Sequence, residues 1–315
     1  MTPRARILAV VGAAALLAAA VAVLAARQGI HDGAAAKRPA GRPSLQLDLG
    51  VRTDPEAQAL RHAGQLYAAG NAKGARDVAR RYTSIQAQVT DAFAGWPAGT
   101  LAKLQALAAI YPQSSFVQLH LGLAEVWSGD NAAAVTAFRR AAKLQPDTQA
   151  AVTAIDLLNP ATVPRNPVFE PSFGLPKAVA RLAAPQQLAA LRARARGSDW
   201  RAKILYGLAL DALGRRISAE RQFAAAARLA PDDPEAQTAA AVGRFDKRNP
   251  SAAFSRLGPL ARRFPHAATV RFHLGLLLLW LEQVKQAKVE LQKAVAAEPR
   301  SPLARQARLL LKKLK

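Results

Sequence analysis

Residues 231–265 read PDDPEAQTAAAVGRFDKRNPSAAFSRLGPLARRFP, and residues 265–299 read PHAATVRFHLGLLLLWLEQVKQAKVELQKAVAAEP. Pro231, Pro265 and Pro299 therefore fall 34 residues apart, and two helix-length apolar runs precede each of them. A fixed stride of this length marks a repeat in which each unit is a helical hairpin that buries its apolar face only against its neighbours. The spacing recurs upstream, where Pro146 stands 34 residues after Pro112. Proline ends each second helix because it lacks the N–H and clashes with the preceding turn. The expected fold class is all-α: an α-solenoid of stacked helix–turn–helix pairs, preceded by one transmembrane helix.

Composition agrees. Hydrophobic residues make up 51% of the chain, dominated by alanine, the best helix former. Cysteine is absent, which excludes disulfides, thiolate metal sites and cysteine nucleophiles. The formal charge of +23 comes mostly from arginines scattered along the chain. Such a charge attracts anionic partners. The bland alternative is a set of solvated helix faces. No aromatic residues interleave with the basic ones, so nucleic acid is not the expected partner.

Residues 7–26, ILAVVGAAALLAAAVAVLAA, contain no charge. At about 1.5 Å per residue they are long enough for the ~30 Å hydrocarbon layer. We read residues 1–27 as a signal anchor, with a cleaved signal peptide as the competing reading because Ala25 and Ala26 are small. The expected location is the cell membrane, single-pass, with the C-terminal domain outside the cytoplasm. Arg4 and Arg6 favour that orientation, while Arg27, Lys37, Arg38 and Arg42 oppose it.

Residues 28–53 read as a flexible tether; the alternation of Leu45, Leu47 and Leu49 within it is too brief to assign as a contact on the first repeat. Residues 54–158 form N-terminal helical pairs that open on Asp54-Pro55-Glu56, a capping carboxylate followed by proline at the first helical position. The device returns at Asp233-Pro234-Glu235 and Ser301-Pro302. Residues 159–184 are a Pro-rich insertion, where Phe169 and Phe173 need cover and are expected to dock in or beside a groove. Residues 185–315 are the C-terminal array with a capping helix from Pro302.

The 34-residue hairpin resembles the tetratricopeptide repeat (TPR) family. The matching residues are Leu121, Gly122, Gly129, Ala134, Phe138 and Ala141 in one unit, and Tyr206, Gly207, Leu210, Gly214, Ala219, Phe223 and Ala226 in the next. A third keeps Ala253, Leu257 and Pro265, and a fourth has Leu274, Gly275, Leu278, Ala287, Leu291 and Ala294. Mid-helix glycine costs about 1 kcal/mol against alanine. Gly122, Gly207 and Gly275 are therefore expected to admit a close neighbour, with Ala134, Ala219 and Ala287 as the facing small residues. Gln118, Lys203, Gln237 and Arg271 stand where the family has an early tryptophan, and Gly258-Pro259 is expected to kink its helix.

The resemblance implies that the first helices line a concave face. A peptide groove would then include Phe116, Leu119, Leu123, Trp127, Ile204, Leu208, Phe272, Leu276, Leu279 and Trp280. Packing by the chain's own insertion is the alternative occupant of that groove. Leu119 and Leu123 replace the polar residues of the family's carboxylate clamp, so binding of that kind is not expected.

The five histidines form no HExxH motif and read as surface or boundary residues; no phosphate loop, dinucleotide fingerprint or nucleophile elbow is present. The chain is thus expected to be no enzyme, with no cofactor, metal or catalytic residue. Its expected role is a membrane-anchored adaptor or scaffold for an unknown protein or peptide, touching the membrane through residues 7–26. The alternative is a basic solenoid binding an anionic polymer or lipid surface.

Overall fold

Ten of the sixteen described helices begin where the sequence supplies a side-chain cap. A computed structural model describes residues 41–160 and 166–314 of the chain. Two compact units divide it, one within residues 1–161 and one within 162–315.

The first unit stacks α1 (Pro55–Ala68), α2 (Ala72–Ala79), α3 (Ile85–Ala94), α4 (Thr100–Ile110), α5 (Ser115–Ser128), α6 (Asn131–Leu144) and α7 (Gln149–Leu158). Asp54, Asn71, Ser84, Ser114, Asp130 and Thr148 each accept a backbone N–H of the first turn, satisfying a donor the helix itself cannot pair. Gly129 ends α5 with φ of 89°, the left-handed conformation that favours glycine.

The second unit contains α8 (Lys177–Ala180), α9 (Ala184–Arg194), α10 (Trp200–Ala212), α11 (Arg216–Leu229), α12 (Pro234–Gly243), α13 (Pro250–Arg263), α14 (Ala268–Trp280), α15 (Val284–Ala297) and α16 (Pro302–Lys313). Asp233, Asn249 and Ser301 cap as their sequences require. Helix α13 runs on through Gly258-Pro259. Helix α16 closes the array, burying Leu303, Ala304 and Ala307 against a cluster that includes Phe272 and Leu291.

At Gly122, Gly207 and Gly275 the nearest neighbour is a large side chain of the second helix. A Cβ on Gly122 would lie 2.5 Å from the ring of Phe138, and one on Gly207 would lie 2.6 Å from the ring of Phe223. On Gly275 it would lie 2.9 Å from Leu291. Glycine thus makes room for the large side chain of the second helix, and the small residues Ala134, Ala219 and Ala287 are buried as well.

The membrane assignment is corrected. Among the described residues the longest helices have 14 residues, about 21 Å, well short of the ~30 Å needed to span a bilayer. Among the described residues no helix is long and apolar enough to cross a membrane. Residues 7–26, read as the anchor, lie outside the described residues. The fold carried forward is an all-α array of stacked hairpins, without the preceding transmembrane helix. The single-pass location, the extracytoplasmic domain and the lipid contact are not carried forward.

Candidate functional site

In each unit an extended segment of the chain itself lies against the first helices of the hairpins. In the first unit this is residues 41–50, part of the stretch read as a tether. Leu49 is buried with Leu60 and Ala87, and Leu45 and Leu47 pack on the main core, so the alternating leucines point inward as their period of two allows. Tyr67 donates its hydroxyl to the Pro43 carbonyl (2.7 Å), and Trp96 Nε1 donates to the Gly41 carbonyl (3.3 Å). The Gln46 N–H donates to His120 Nε2 (3.2 Å).

In the second unit it is residues 166–176, from the Pro-rich insertion. Phe169 is buried, stacked on the His273 ring at 4.6 Å and tilted against Phe223 at 6.3 Å. The Glu170 N–H donates to His273 Nε2 (2.8 Å). Ser172 gives both its N–H and its hydroxyl to the Glu235 carboxylate, the hydroxyl at 2.7 Å. Phe173 meets Trp200 edge-on at 5.8 Å. The expected docking of the insertion through Phe169 and Phe173 is what the structure shows.

The two histidines act alike. Each Nε2 accepts a main-chain N–H, so the other ring nitrogen must carry the proton. That nitrogen, Nδ1, lies 2.8 Å from the Phe116 carbonyl in His120 and 2.7 Å from the Thr269 carbonyl in His273. Burial holds both imidazoles neutral, with pKa values lowered to about 4, against the small opposing effect of those carbonyls. Reading them as surface or boundary residues was wrong for this pair, which are 0% and 2% exposed, whereas His62 and His266 are exposed. The missed signal was the triplet His-Leu-Gly, present at 120–122 and again at 273–275. His31 lies outside the described residues.

The ten residues named for a groove fall into both units. Phe116, Leu119, Leu123 and Trp127 are buried in the first unit's core, in one cluster with Leu45 and Leu47. Ile204 and Leu208 lie in the cluster that holds Phe169. Phe272, Leu276 and Leu279 pack with the closing helix α16, and Trp280 meets Phe245 edge-on at 4.7 Å. Among the described residues no three His, Asp or Glu side chains are grouped to hold a metal ion.

The polar residues at the tryptophan position also have a role. The fourth residue after the cap of a first helix is Gln58, Gln88, Lys203, Gln237 or Arg271 in five hairpins. Each donates to a main-chain carbonyl just upstream: Thr53, Thr83, Ala195, Ala227 and Ala261, respectively. Ala195, Ala227 and Ala261 lie at the C-terminal end of a helix, which leaves its last acceptors unpaired.

No family model matches the chain, and no curated protein matches it. Similar solved structures include a tetratricopeptide repeat protein from Parabacteroides merdae, at 12% identity over 82% of this chain and 98% of that one, with a TM-score of 0.34. The Cut9–Hcn1 hetero-tetramer of the APC/C shares 14% identity over 82% of this chain and 56% of that chain, with a TM-score of 0.28. The C-terminal part of a TPR repeat-containing protein from Cytophaga hutchinsonii shares 14% identity over 79% of this chain and 98% of that one, at a TM-score of 0.29.

Proposed function

We propose that this chain is a protein-interaction scaffold, a binding protein and not an enzyme, whose hairpin arrays hold extended polypeptide. One observation supports this reading above others: both arrays already hold an extended segment, each through a buried histidine that accepts a main-chain N–H. Recognition of main-chain groups by fixed side chains, with apolar pockets for alternate residues, is how extended peptides are bound. A partner at the Phe116–Trp127 or Ile204–Trp280 residues would compete with, or extend, the chain's own segments. The alternative is attraction of an anionic polymer by the +23 charge.

Crosslinking capture by the full chain and by its Trp280→Ala variant, at low and high salt, separates the two. The scaffold reading expects partners that survive high salt and are lost from the variant. A captured set that disappears with salt and ignores the variant would establish the polymer reading instead.

A further inference from the structure

Gln118 breaks the rule that its counterparts follow. It is the fourth residue after the Ser114 cap, yet its side chain reaches no main-chain carbonyl, and its Oε1 is buried without a partner. The residue is only 3% exposed. An unpartnered buried amide oxygen costs about 1–3 kcal/mol. In helical projection Gln118 lies about 200° from His120, so it faces away from the segment that His120 holds. An open groove of about 810 Å³ lies there. Gln118 and Leu121 of α5 line it together with Gln105, Gln113, Arg140 and Lys143.

The lining selects among ligands. Neither Arg140 nor Lys143 has a carboxylate oxygen within 4.0 Å among the described residues. Arg140 acts on the Glu125 carboxyl from farther away, and that acid is pushed toward its neutral form by burial, so the groove presents two cations to whatever enters. Glutamine carries a donor and an acceptor, the complement of a peptide group. No aromatic side chain lines the groove, so nucleobases would find no stacking surface.

We propose that this groove binds an extended acidic peptide, whose main chain satisfies Gln118 and whose carboxylates meet Arg140 and Lys143. The proposal rests on the scaffold reading and adds a second surface to it. Charge complementarity chooses the occupant: an acidic segment fits both the two cations of the groove and the strongly basic chain that carries them.

The test uses the full chain and a fluorescein-labelled peptide of alternating glutamate and leucine, read by anisotropy, with its glutamine counterpart and a single-stranded oligonucleotide as competitors. Thermal melts confirm that each variant is folded. Arg140→Glu and Lys143→Glu are each expected to weaken acidic-peptide binding about tenfold, as loss of an interfacial charge contact does. Gln118→Leu, which removes the unpaired amide, is expected to weaken it several-fold without lowering the melting temperature. Arg305→Glu and Lys312→Glu, on α16, are expected to leave it unchanged. Equal binding of the glutamine peptide would overturn the proposal. So would an equal loss from the α16 variants, or stronger binding of the oligonucleotide. Loss of captured partners on Trp280→Ala with acidic-peptide binding unaffected by Arg140→Glu would remove this groove alone and leave the scaffold reading standing.

Discussion

Acidification should loosen the two docked segments, and the histidines set where. In the folded chain each ring accepts at Nε2 and keeps its single proton on Nδ1. A second proton would turn the acceptor into a donor facing another N–H. Between the ordinary histidine value of 6.5 and the folded value of about 4, the unfolded or detached state binds more protons than the docked one. Stability therefore rises with pH across this window and is lost as pH falls through it. At about 1.4 kcal/mol per pH unit the full loss is about 3 kcal/mol for each histidine. About 2–3 kcal/mol of it should be gone by about pH 4.5, a roughly thirty- to hundredfold rise in opening. Burial pushes the Glu235 carboxyl up, and a raised acid gives a slope of the opposite sign. A histidine variant is needed to separate the two.

Amide hydrogen exchange of residues 41–50 and 166–176, corrected for intrinsic rate, reads the effect directly. His273→Phe keeps an apolar ring but leaves the Glu170 N–H unpaired, at about 1–3 kcal/mol. It should raise exchange of 166–176 at neutral pH and flatten its acid dependence, while 41–50 keeps its own response through His120. Protection of 166–176 that is the same at both pH values in the wild type, or that falls equally steeply in His273→Phe, would refute the reasoning.

Gly122→Ala should destabilise the first unit by about 1–3 kcal/mol in urea unfolding, because the new Cβ meets the Phe138 ring at 2.5 Å and overpacking exceeds the gain in helix propensity. Gly64→Ala, whose Cβ would rest 3.4 Å from Leu47, should be neutral or stabilising by up to about 1 kcal/mol. Burial and the neighbouring Asp130 raise the Glu125 carboxyl to about 7, against the pull of Arg140. Stability should consequently fall as pH rises from about 4.5 through 7, and Glu125→Gln should recover about 1–3 kcal/mol at pH 8 but little at pH 5, as thermal melts at the two pH values would show.

The hairpins were legible in the sequence because their causes are local. Asp54, Asp233 and Ser301 cap the helices they precede, Gly129 and Gly214 take positive φ where a first helix ends, and the recurring proline marks each second terminus. These effects act within a turn or two of chain, so a 34-residue stride suffices to place the elements. The use made of their faces was not legible. Gln46 finds His120 at a separation of 74 residues and Glu170 finds His273 at 103, distances over which no periodicity carries information. A leucine at a first-helix position reads the same whether an open groove or the chain's own segment covers it. Only the tertiary structure decided which groups hold the docked segments, that Phe138, Phe223 and Leu291 close over the helical glycines, and that Gln118 alone among the counterparts named above is left without a carbonyl to reach. In each case the physical reason is that burial and hydrogen-bond satisfaction belong to the packed neighbourhood and not to the residue.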